Sequence, residues 1–67
     1  RREDEKRFMD CVGNLAPPHR SVLLLHFIEG FKLDEIAEIT QAQVGTVKSR
    51  LFYAKKALRN LLKRELQ

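Results

Sequence analysis

The sequence predicts an all-α fold of four helices that closes on a helix-turn-helix. Three observations carry that expectation. No stretch alternates apolar and polar residues with period two over a useful length, so strands are not expected. Apolar residues recur instead at spacings of three and four along much of the chain. Near the end, a short amphipathic segment and a long one are separated by only Gln41-Ala42-Gln43, the outline of two helices joined by a tight turn.

The first helix is expected over about residues 3–13. Phe8, Cys11 or Val12, and Leu15 would share one side, and Gly13-Asn14 supplies a C-terminal stop. Pro17 and Pro18 then break the chain and suit the first turn of a new helix, where a missing N–H costs nothing. This second helix, about 18–29, carries Val22, Leu23, Leu24, Leu25, Phe27 and Ile28, apolar almost all round. Such a helix is expected at the centre, packed on several sides, with Gly30 ending it. The third, 33–40, would turn Ile36, Ala37 and Ile39 inward. Asp34 and Glu35 fall in its first turn, where carboxylates favour the positive end of the macrodipole. The fourth, about 44–66, has a stripe of Val44, Val47, Leu51, Ala54, Leu58 and Leu61 or Leu62.

Size and composition bound the function. A chain of 67 residues makes one domain, burying only about 60% of the surface its unfolded form exposes, so its core is thin. The 43% apolar content supports a folded domain. The sequence begins Arg1-Arg2 without an initiator methionine, which reads as a segment of a longer protein. A lone cysteine, Cys11, allows no internal disulfide and fits a reducing, cytoplasmic setting, where it reads as a small buried hydrophobe. The longest apolar run, 22–25, is far too short to span a bilayer, and no membrane partner is expected. His19 and His26 stand seven apart with no second cysteine pair, so neither a metal nor another cofactor is expected. No nucleophile–base or paired-carboxylate arrangement is credible on so small a frame, and the chain does not read as an enzyme.

Charge points to the partner. The net charge of +4 is unevenly spread. Residues 1–16 are neutral overall and residues 17–43 carry −2. In residues 44–67, seven basic side chains face Glu65 alone, a net +6. All the excess positive charge thus lies in the last third, which favours a polyanion there, nucleic acid before membrane.

On a helical wheel of about 100° per residue, Gly45, Lys48, Ser49, Phe52, Lys55, Lys56 and Arg59 gather beside the apolar stripe of the fourth helix. The DNA major groove admits one helix and shows a distinct donor and acceptor pattern for each base pair. A reading helix needs long basic donors, small polar residues at close approach, and an apolar group for thymine methyls. That face offers all three. Phe52 is the sharpest clue, because a large ring off the core stripe and amid lysines costs solubility unless it meets a partner.

At this point the residues resemble a known family. Val44-Gly45-Thr46-Val47-Lys48-Ser49-Arg50-Leu51 is similar to the opening of the recognition helix in region 4 of sigma-70 factors, the extracytoplasmic-function (ECF) subgroup in particular. The stretch from Leu15-Ala16-Pro17-Pro18 to Leu25 resembles the family's leucine-proline entry into its second helix. Glu29-Gly30-Phe31 and Asp34-Glu35-Ile36-Ala37-Glu38-Ile39 resemble its glycine hinge and the first helix of its helix-turn-helix. The likeness runs over about residues 15–62 without insertion. It implies a domain that reads the −35 element of double-stranded promoter DNA in transcription initiation and docks on the beta-subunit flap of RNA polymerase through apolar surface of the early helices. It also implies an anti-sigma partner covering the same surfaces. By position, Lys48, Ser49 and Phe52 would face base edges. Thr46, Arg50, Tyr53, Lys55, Lys56 and Arg59 would hold phosphates or support the helix.

Four departures from the family pattern stand out. Gln41 occupies a turn position usually held by glycine, at a cost of about 1 kcal/mol if the backbone there is left-handed. Ala42 replaces a larger aliphatic residue. Lys32 and Gln43 stand where serine, threonine or proline often begins a helix, each lost cap costing about 1 kcal/mol. Tyr53 stands where arginine is frequent. Two other readings fit the same residues: the output domain of a two-component or quorum-type activator, which would dimerise through its last helix, and a domain used chiefly for protein docking.

Overall fold

The computed structural model describes residues 2–65. Its elements are α1 (Arg2–Gly13), α2 (Pro17–Leu23), a π-helical segment continuing α2 (Leu24–Ile28), α3 (Leu33–Thr40) and α4 (Val44–Glu65). No strand occurs among the described residues, as the missing two-residue alternation predicts. The expected end of the last helix, near residue 66, lies outside the described residues.

α4 is the spine. Its 22 residues at about 1.5 Å rise give roughly 33 Å, which sets most of the molecule's 37 Å long dimension. α1, α2 and α3 each pack on it. The core takes residues from every α-helix: Cys11 and Val12 from α1, Leu15 just after it, Val22 and Leu23 from α2, Ile36 from α3, and Val47, Leu51, Ala54 and Leu58 from α4. Ile36, Val47 and Ala54 are wholly enclosed. The spacing along α4 is the three-four period of a helix burying one edge.

Local chemistry explains where each helix stops. At the end of α1, Asn14 Nδ2 donates to the Asp10 carbonyl at 3.1 Å, and the Asn14 N–H donates to the Cys11 carbonyl at 3.0 Å. Both satisfy carbonyls that the helix itself leaves open. Pro17 and Pro18 occupy the first turn of α2, and the Arg20 N–H closes that turn on the Ala16 carbonyl at 2.9 Å.

The second helix departs from expectation. After Leu23 the ladder widens: the Glu29 N–H donates to the Leu24 carbonyl, five residues back, at 3.0 Å. The extra residue in this turn changes which side chains face the bundle. Leu24 and Leu25 remain half-buried, whereas Phe27 and Ile28 are 52% and 58% exposed. The predicted all-round burial of this helix is therefore corrected for its last turn. Gly30, at φ 82°, then reverses the chain where a side chain would be strained.

Two further inward assignments are corrected. Ile39 is 51% exposed because α3 is only two turns long and rests on α4 by the single edge holding Ile36 and Ala37. Val44 is 42% exposed because it opens α4, before the helix reaches the bundle.

Candidate nucleic-acid interface

The turn between α3 and α4 aims the candidate face. Gln41 adopts the left-handed conformation, φ 55° and ψ 43°. Its N–H donates to the Glu38 carbonyl at 3.2 Å, and the Ala42 N–H donates to the Ala37 carbonyl at 2.9 Å. This pair of bonds is the Schellman closure of a helix, a geometry that favours glycine at the left-handed residue. Glutamine accepts it here with its side chain in solvent. α4 begins three residues later, its first turn closed by the Val47 N–H on the Gln43 carbonyl at 3.1 Å.

Because Val47, Leu51, Ala54 and Leu58 lock one edge of α4 into the bundle, the neighbouring face must point outward. Lys48, Ser49, Phe52, Lys55, Lys56 and Arg59 are all exposed on it. Phe52 is 60% exposed, so its ring is not packed sideways on an early helix. Tyr53, 54% exposed, stands edge-on to it, ring centroids 5.1 Å apart and planes at 88°. The sequence grouped Tyr53 with the phosphate-holding or supporting residues; the structure sets its ring against Phe52 as one aromatic step. Phe52, Lys55, Lys56 and Arg59 frame a shallow depression further along the ridge. Thr46 is exposed near the start of α4, and Arg50 is half-buried on the far side from the ridge. Among the described residues, no carboxylate pairs with Lys48, Lys55, Lys56 or Arg59.

A second, apolar surface joins residues that sequence spacing does not link. Phe8, Leu23, Phe27, Leu58 and Leu62 line an open apolar groove of about 530 Å³, edged by Lys55, Arg59 and Lys63. Met9 and Ile28 extend its apolar border across α1. Phe27 reaches the groove from within the π turn, and that turn has no signature in apolar periodicity. Lys55 and Arg59 line both the groove and the ridge.

Comparison with known proteins agrees with this architecture. Residues 5–58 match the family described as Sigma-70, region 4. The chain is 45% identical over 56 residues to the RNA polymerase sigma factor SigV of Bacillus subtilis, covering 84% of this chain and 34% of that protein. It is 36% identical over 58 residues to the ECF RNA polymerase sigma-E factor of Haemophilus influenzae, covering 87% and 31%. It is 41% identical over 52 residues to the ECF RNA polymerase sigma factor SigW of Bacillus subtilis, covering 78% and 28%. The chain thus spans about a third of the length of the curated relatives it matches. With the four-helix order, the closing helix-turn-helix and a match over most of its length, the chain belongs to the sigma-70 region 4 family.

Proposed function

We propose that this chain is the region 4 domain of an ECF-type sigma factor, a cytoplasmic transcription-initiation protein that reads the −35 element of promoter DNA and docks on RNA polymerase. The observation that carries the DNA half is the exposed basic ridge of α4, free of carboxylate partners among the described residues, with Phe52 set among lysines on the second helix of a helix-turn-helix. Lys48, Ser49 and Phe52 enter the major groove and meet base edges, where each donor and apolar group has a base-specific counterpart. Thr46, Arg50, Tyr53, Lys55, Lys56 and Arg59 hold the flanking phosphates or brace the helix, fixing register without carrying sequence information themselves. The domain acts by binding and has no catalytic role.

The polymerase half rests on the apolar groove. Phe27 offers its ring to solvent, and half-buried Phe8 and Leu62 line the groove with it beside basic side chains, which suits the beta-subunit flap as a docking partner. An anti-sigma factor covering the same groove and ridge would silence both activities. Among the described residues, no helix is long and apolar enough to cross a membrane. A fluorescence-anisotropy titration tests the reading directly. Labelled duplexes carrying −35 elements of ECF promoters are compared with scrambled duplexes of equal composition. Tighter binding to at least one promoter duplex is expected; equal affinity for every duplex overturns base reading.

A further inference from the structure

Phe27 and Lys55 belong to different parts of the sequence and to different surfaces, yet the Lys55 ammonium lies over the Phe27 ring, 5.8 Å from its centroid. That is within the range of a cation–π attraction. The ring is itself held. His26 stands edge-on to Phe27, centroids 4.8 Å apart, and His26 Nδ1–H donates to the Phe31 carbonyl at 2.9 Å, tying the imidazole to the loop before α3. The π turn presents Phe27 outward, so the ring forms a platform beside α4 rather than a core residue.

We infer that Phe27 is a positioning residue for DNA binding, holding Lys55 at the flank of the ridge as a phosphate contact; this rests on the promoter-DNA reading above. The side chain of Lys55 leaves α4 between the core edge and the crest that carries Lys48 and Phe52, and it lines both the groove and the ridge. A helix in the major groove has a phosphate strand along each flank, so an ammonium drawn toward Phe27 faces phosphate and not base edges. A free lysine loses rotamer freedom on making such a contact. One already resting on a ring loses less.

The test is a double-mutant cycle on a mixed-sequence duplex, read by anisotropy at about 50 mM salt. Phe27→Leu keeps apolar bulk and removes the ring; Phe27 is more than half exposed and outside the buried core, and an unchanged thermal midpoint checks that the fold is kept. The expected loss of affinity is about two- to fivefold, the scale of an exposed cation–π pair. Phe27→Tyr, which keeps the ring, binds like the unsubstituted chain. Lys55→Gln lowers the salt slope by about one and makes Phe27→Leu silent. If Phe27→Leu weakens binding equally with Gln at position 55, or Phe27→Tyr fails to restore it, the positioning role is overturned while DNA binding stands. If the unsubstituted chain shows no salt-dependent duplex binding, the promoter reading falls and takes this role with it.

Discussion

Glu35 Oε1 accepts the backbone N–H of Lys32 at 2.8 Å, one residue before α3 begins. This is half of a capping box. Lysine has no acceptor to return the bond to the Glu35 N–H, which is instead satisfied by Asp34 Oδ1 at 3.0 Å. The two carboxylates thus replace the missing serine or threonine cap and also face the positive end of the helix dipole.

Glu35→Ala is therefore expected to destabilise the domain by about 1 kcal/mol, lowering the melting temperature by roughly 4–8 °C in a domain of this size. Thermal denaturation followed by circular dichroism at 222 nm reads the change. An unchanged midpoint would mean that the Lys32–Glu35 bond contributes nothing in solution.

The left-handed Gln41 makes the opposite prediction. An L-residue there costs roughly 1–2 kcal/mol, partly offset by the greater unfolded-state entropy of glycine, about 0.4–1 kcal/mol. Gln41→Gly should raise stability by a few tenths to about 1 kcal/mol, without altering DNA affinity by more than its effect on folding. A lower midpoint in urea would show that the turn is not left-handed.

Lys48 and Phe52 separate folding from reading. Both are exposed, so Lys48→Ala and Phe52→Ala should each leave stability within about 0.5 kcal/mol. Lys48→Ala should cost about 1–3 kcal/mol of binding and relax preference at one base pair. A loss uniform across all duplex sequences would reassign Lys48 to phosphate.

Salt should dominate the affinity. If about four phosphates are engaged, log K plotted against log salt should fall with a slope near −4. Specific affinities of about 10⁻⁸ M usually need more buried surface than one small module supplies, so the isolated chain should bind more weakly than that. A flat salt profile would point to a domain whose business is protein docking.

The sequence by itself determined the helices, their order and the outward face of α4. Those features are local: the three-four period of Val47, Leu51, Ala54 and Leu58, the prolines at 17 and 18, and Gly30 act on neighbouring residues. The same period fixed Lys48, Ser49 and Phe52 beside the core edge before any fold was known. Tertiary structure alone decided how far each helix is covered. Ile39 and Val44 fit the apolar pattern, yet the short α3 and the start of α4 leave them in solvent, since periodicity gives a side chain's direction and not what lies opposite it. The π turn shows the same limit. Phe27 lies within it, expected in the core and found at the surface beside Lys55, and apolar spacing along one segment does not distinguish a wide turn from a narrow one.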